Sequence, residues 1–271
     1  FPLLLRQKFL EILEINYGIN KENLPSFTEV VKQARNLRSV KITLENPDTC
    51  HFCQEVYSQL PNLAVFRVDK REVGALVFRK DFPSNLQFLE VVNCGEIIQK
   101  HVKANLEGLH TLQTLIIREK VKTIRNSISY PEIILPPKLM RLCLESQHHS
   151  MAESLLAGII LKEYSNMISF ELNVPDLQVG VLEKVLSNMP NLKELKLEIP
   201  FDFLGYLPKL EKADIYFKKQ TLPLNSSPTQ LERIESQILS LKNRRELTLS
   251  SQPAFLSFYV LHKIDQLEKL E

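Results

Sequence analysis

Glycine is scarce in this chain, with seven in 271 residues, and so is cysteine, with four. Both scarcities exclude chemistry. The glycines are scattered, so there is no Gly-rich loop to cradle phosphates; G-x-S-x-G and H-E-x-x-H are also missing, which removes the usual nucleophile elbow and helical zinc site. Cys50-His51-Phe52-Cys53 is a lone C-x-x-C, whereas a structural zinc needs a second ligand pair at suitable spacing. Cys94 and Cys143 stand singly, so the four read as free thiols, with Cys94 as a small core residue. Charge of one sign is absent as well: the net +2 offers no global reason to bind nucleic acid or membrane. No apolar run approaches the roughly 20 residues that span a bilayer. Phe1 stands where an initiator Met would, and Leu3-Leu4-Leu5 is too short for a signal segment.

What is present is a hydrophobic pattern that returns about every 26 residues. Its spacing is apolar-x-x-apolar-x-apolar, as in Leu37-x-x-Val40-x-Ile42, Leu63-x-x-Phe66-x-Val68, Leu86-x-x-Leu89-x-Val91 and Leu112-x-x-Leu115-x-Ile117. It continues through Leu139-x-x-Leu142-x-Leu144, Met167-x-x-Phe170-x-Leu172 and Leu192-x-x-Leu195-x-Leu197. Copies beginning at Leu10, Leu210 and Arg244 fit less well, and Leu267-x-x-Leu270 is the last. The final two apolar positions alternate, as in a short strand with one buried face. The first falls in the turn leading into that strand, often after Asn: Asn62, Asn85, Asn166 and Asn191. Between strands, apolar residues take helical spacing, as at Phe27, Val30, Val31 and Ala34, at Leu155, Leu156, Ile159 and Ile160, and at Val181, Leu182, Val185 and Leu186. Further helical stripes run through Ile234, Ile238 and Leu241 and through Val260, Leu261 and Ile264. Strand, turn, helix and turn, repeated, describe a coil whose units stack on copies of themselves.

On these motifs the chain resembles the leucine-rich-repeat superfamily over essentially its whole length. The resemblance implies an α/β solenoid (horseshoe) of about 11 irregular repeats over residues 1–271, with parallel strands on the concave face and helices on the convex face. The family's buried Asn or Cys three places after the last strand residue is matched by Cys94. Lys120, Gln147, Pro175 and Pro200 depart from it, which marks a divergent member. Repeats of this length resemble those of F-box-type ubiquitin-ligase receptors and of intracellular immune receptors. Neither end carries a polar capping unit, so a piece of a longer protein is expected.

The expected function is non-enzymatic: a scaffold that binds a protein partner, with no cofactor, no metal and no membrane association. A nucleic-acid surface is the lesser alternative, because basic clusters such as Lys70-Arg71 and Lys218-Lys219 alternate with acids. Cytosol or nucleus is the expected location; Asn225-Ser226-Ser227 is an isolated sequon. Strand residues between the buried positions turn to the concave side, with strands about 4.8 Å apart. That geometry assigns partner binding to Glu14, Tyr17, Lys41, Arg67, Lys70, Phe88, Glu90, Arg118, Arg141, Glu171, Lys196 and Tyr216. Arg and aromatics are enriched at binding hot spots, and such an arc offers roughly 1,600 Å² for a standard interface. A protruding loop is expected at residues 218–230, where Pro223 and Pro228 punctuate a polar run, and His148-His149 is expected in an exposed turn.

Overall fold

The computed structural model describes residues 9–45, 60–70, 83–92, 106, 108–119, 134–146, 149–174, 179–199, 212–217, 246–250 and 269–270. The pattern folds as its period requires. Eleven strands lie side by side in chain order in one sheet, and every pair is parallel. They are β1 (Ile12–Ile19), β2 (Ser39–Leu44), β3 (Val65–Lys70), β4 (Phe88–Val92), β5 (Thr114–Glu119), β6 (Arg141–Ser146), β7 (Ser169–Asn173), β8 (Glu194–Ile199), β9 (Lys212–Phe217), β10 (Glu246–Ser250) and β11 (Lys269–Leu270).

Register holds from the first strand to the last. Leu13, Val40, Phe66, Leu89, Leu115, Leu142, Phe170, Leu195, Ala213, Leu247 and Leu270 form one continuous row. Ile15, Ile42, Val68, Val91, Ile117, Leu144, Leu172 and Leu197 form the next. Through β8 both rows are buried, and so are the turn residues Leu37, Leu63, Leu86, Leu112, Leu139, Met167 and Leu192. A row the apolar spacing does not announce lies three residues earlier: Ala34, Leu60, Pro83, Leu109, Pro136, Tyr164 and Met189 are all buried. Each supplies the carbonyl that closes the turn, accepting the N–H of the next row's residue at 3.0–3.2 Å. These turns are what the Asn and Pro residues were signalling.

The same turns carry a polar ladder between repeats. Asn62 Nδ2 donates to Arg35 O (3.3 Å), Asn85 Nδ2 to Pro61 O (3.1 Å), Asn166 Nδ2 to Pro137 O (3.1 Å) and Asn191 Nδ2 to Ser165 O (2.8 Å). The Thr111 hydroxyl takes the amide's place before β5, 2.6 Å from Ser84 O. Each donor is the residue just before the turn leucine (Met167 in one repeat), and each acceptor is the carbonyl two places before that residue's counterpart in the preceding repeat. A deeper tie joins the helical side, where Asn188 Nδ2 donates to the Ile159 and Ile160 carbonyls at 2.9 Å.

Three helices are described on the other face: α1 (Leu24–Gln33), α2 (His149–Ile160) and α3 (Val179–Ser187). The anticipated stripes are the ones they bury: Phe27, Val30 and Val31 on α1, Leu155, Leu156 and Ile159 on α2, and Leu182, Val185 and Leu186 on α3. Pro25 sits in the first turn of α1, where its missing N–H is harmless. His149 opens α2, so it is helical; the turn expectation failed because the residues after it have strong helical spacing. The later helical stripes, the 218–230 loop, Cys50, Cys53, Cys94 and His148 lie outside the described residues.

Leu115 is enclosed by neighbours on both sides and leaves a void if shortened. Leu115→Ala is expected to destabilise by about 2–5 kcal/mol, read as a lower urea midpoint. Asn191→Ala, which leaves the Ser165 carbonyl facing solvent, should lose about 1 kcal/mol or less. A larger loss at Asn191 than at Leu115 would contradict this ranking.

Candidate functional site

Alternation leaves three rows of side chains on the sheet face opposite the helices. The central row runs Glu14, Lys41, Arg67, Glu90, Ile116, Cys143, Glu171 and Lys196, each in register with the next, and the backbone register continues through Asp214 and Thr248. Phe88 and Arg141 belong to the row on its N-terminal side; Arg118 and Glu145 belong to the row on the other side. The Tyr216 backbone pairs with Glu198 on β8 and Ser250 on β10.

Lys70 closes β3, where its backbone pairs with that of Leu44. Tyr17 falls in the irregularity of β1, where register jumps between Ile15 and Gly18, so it occupies no row. The chain bends there, and a Cβ on Gly18 would collide with the Glu45 side chain.

Charges on the concave rows are organised into pairs between repeats. Arg118 Nη1 donates to Glu90 Oε1 at 2.9 Å, and Arg118 Nε lies 3.7 Å from Glu145 Oε2, so one guanidinium ties β4, β5 and β6. Glu90 also lies 3.6 Å from Arg67 Nε. Lys196 and Glu171 approach to 3.4 Å, and Lys41 and Glu14 to 4.0 Å. The outer pairs are well exposed, so each contributes only about 0–1 kcal/mol. The Arg118 guanidinium stays fully charged: burial lowers its pKa, but Cys143 and Glu90 raise it further, for a net rise.

Beneath these side chains lie two apolar members of the central row. Ile116 is 6% exposed and Cys143 0%, although both stand on the outward phase. Burial first, then the Glu171 carboxylate, push the Cys143 thiol up to about 12, against the opposing pull of Arg118. Such a thiol stays protonated and is a poor nucleophile at neutral pH. Among the described residues, no group of three or more His, Cys, Asp or Glu is gathered as a metal site, and no helix is long and apolar enough to cross a membrane. Sequence reasoning also missed a groove of about 700 Å³ along the strand-leading turns, lined by Gln113, Lys138, Met140, Ser165, Asn166, Ile168, Asn191 and Lys193. Its sequence signal is the Asn that recurs before several of the turn residues, as at Asn166 and Asn191.

No protein-family model and no curated protein matches the chain. Solved structures do. TLR13, determined in complex with ssRNA13, superposes with a TM-score of 0.51 at 16% identity, covering 97% of this chain and 40% of that one. A leucine-rich-repeat protein of Leptospira interrogans gives 0.45 at 13% identity, covering 100% of this chain and 74% of that one. The chain thus spans less than half the length of TLR13. With the continuous parallel sheet and its in-register rows, the fold is that of an α/β leucine-rich-repeat solenoid.

Cys143 yields a pH test. The folded thiol keeps its proton up to about pH 12, whereas the ordinary value is 9.0, so its contribution is complete below pH 9 and fades as pH rises toward 12. The urea midpoint is therefore expected to fall more steeply between pH 9 and 12 in the native protein than in Cys143→Ala. Parallel curves would contradict the assignment.

Proposed function

We propose that the chain is a non-enzymatic protein-recognition scaffold that receives its partner on the concave sheet face. One observation carries this reading: the core-side rows are consumed by packing, while the opposite rows hold a continuous, mixed-sign strip of charged and aromatic side chains in register across the sheet. A rigid surface with alternating charge discriminates partners by complementarity and steers their approach. Phe88 and Arg141 supply the residue types that anchor such interfaces. Glu14, Lys41, Arg67, Glu90, Arg118, Glu171 and Lys196 complete the proposed set, with Tyr216 as a further proposed member.

The most concrete version is the substrate-recognition part of a ubiquitin-ligase receptor, by similarity of repeat length to F-box-type proteins. The second is the ligand-sensing or autoinhibitory repeat domain of an intracellular nucleotide-binding immune receptor. An F-box encoded in the same full-length chain supports the first; a phosphate-binding loop supports the second. Both place the protein in cytosol or nucleus. RNA binding, suggested by the TLR13 complex, is disfavoured by the interleaved acids Glu90, Glu145 and Glu171.

Charge reversal at Arg141 and Lys196 tests the surface once a partner is in hand. Each is expected to weaken binding about tenfold, or ~1.4 kcal/mol, by calorimetry, with thermal stability unchanged. Unaltered affinity in both variants removes the concave face from the proposal. Binding to single-stranded RNA that falls steeply with salt would favour the nucleic-acid alternative instead.

A further inference from the structure

We infer that Lys41 and Arg67 together form a receptor for a carboxylate: an Asp or Glu side chain of the protein partner. The inference rests on the concave-face reading above and assigns the chemistry at one place on it. Lys41 and Arg67 are register partners on β2 and β3. Strands lie about 4.8 Å apart, and like charges directly opposite each other on one sheet face destabilise it. Acids lie near both, but neither cation makes a hydrogen bond to one. Glu14 reaches only 4.0 Å from Lys41, with both side chains more than two-fifths exposed. Glu90 is committed to Arg118 by a 2.9 Å hydrogen bond and stands 3.6 Å from Arg67.

Arg67 is also held in a particular way. Its guanidinium carbon lies 4.8 Å from the centroid of the Phe88 ring, a cation–π arrangement that fixes the plane of the group. Its Nε is enclosed yet has no hydrogen-bond acceptor, while 40% of the side chain remains exposed. The enclosed Nε faces Glu90, so the exposed end of the guanidinium carries the donors a ligand can reach. A planar, pre-oriented guanidinium with unused donors, beside an ammonium, matches the two oxygens of a carboxylate. Phosphate fits less well. Glu14, Asp69 and Glu90 occupy the same stretch of sheet face, so a dianion meets more repulsion than a single negative charge.

The probe is a hexaglutamate peptide, with hexalysine, a phosphoserine peptide and sodium chloride at equal ionic strength for comparison. The readout is the Arg67 Nε–Hε resonance. We expect hexaglutamate to shift it saturably and the salt not to. Binding should weaken about fivefold or more in K41Q and in R67Q. Arg67→Lys, which keeps the charge but loses the fork, should recover only part. Both glutamine variants should melt within about 2 °C of the native protein, since a like-charge contact has been removed; this separates a recognition role from a structural one. No saturable shift, tighter binding of the phosphoserine peptide, or K41Q and R67Q binding as the native protein does would each overturn the inference. If it fails while Arg141 and Lys196 reversals still weaken the native partner, the concave-face reading survives it. If those reversals are silent while Arg67 responds, the wider surface is wrong and the carboxylate site stands alone.

Discussion

A strand in a one-dimensional coil has only two neighbours, and through them it must satisfy its backbone and bury its apolar face. That constraint governs the rest of this molecule. It explains why Leu13 through Leu270 occupy a single row without a slip, since a shift of one residue would turn Leu89, Leu115 and Leu142 toward solvent and Glu90 and Cys143 into the core. It also explains why the two core rows tolerate Val, Phe, Leu and Ile alike: each must match only the residues immediately before and after it. Stability is then a sum of neighbour terms.

Solenoid backbones face a second requirement where the chain leaves a helix and enters a strand, because the turn exposes carbonyls that no helix or sheet satisfies. Here the solution is carried by side chains. Asn62, Asn85, Asn166 and Asn191 reach back one repeat to a turn carbonyl, and Thr111 does so with a hydroxyl. The resemblance to leucine-rich repeats directed attention to the far end of the strand, where Lys120, Gln147, Pro175 and Pro200 break the family's ladder. A polar ladder exists nonetheless, at the near end.

Much of this was legible because burial is periodic and hydrophobicity reports it directly: β1, whose copy at Leu10 fits poorly, and β9, with Ala213 in the row, were both placed by spacing alone. The buried row of Leu60, Pro83, Leu109, Pro136, Tyr164 and Met189, which Ala34 joins from the end of a legible helical stripe, was not legible, because a turn that supplies a carbonyl accepts side chains of many shapes. Concave residues were legible through strand alternation, which fails at strand ends and irregularities. Lys70 closes β3, and Tyr17 sits where β1 changes register. No single-residue rule carries the burial of Ile116 and Cys143. It depends on Arg118 spanning three strands above them, a relation set by the stagger of neighbouring repeats rather than by local sequence.

The concave face is therefore not uniform, and its differences follow from how its charges are paired. Over β4 to β6 the Arg118 bridge to Glu90 and Glu145 closes on apolar Ile116 and Cys143, which satisfies the acids locally and leaves little for a visitor. Over β7 and β8 the Glu171–Lys196 pair is more open, and solvent and salt weaken it. Over β2 and β3 two cations sit in register, with their acids either distant or claimed by another group. Packing alone gives no reason to place them there, since the same strand positions accept Thr or Ser as their neighbours Thr43 and Ser39 show. One charge strip thus differs along its length: the middle is closed by its own ion pairs, while at the N-terminal end Lys41 and Arg67 meet their acids only at 4.0 and 3.6 Å.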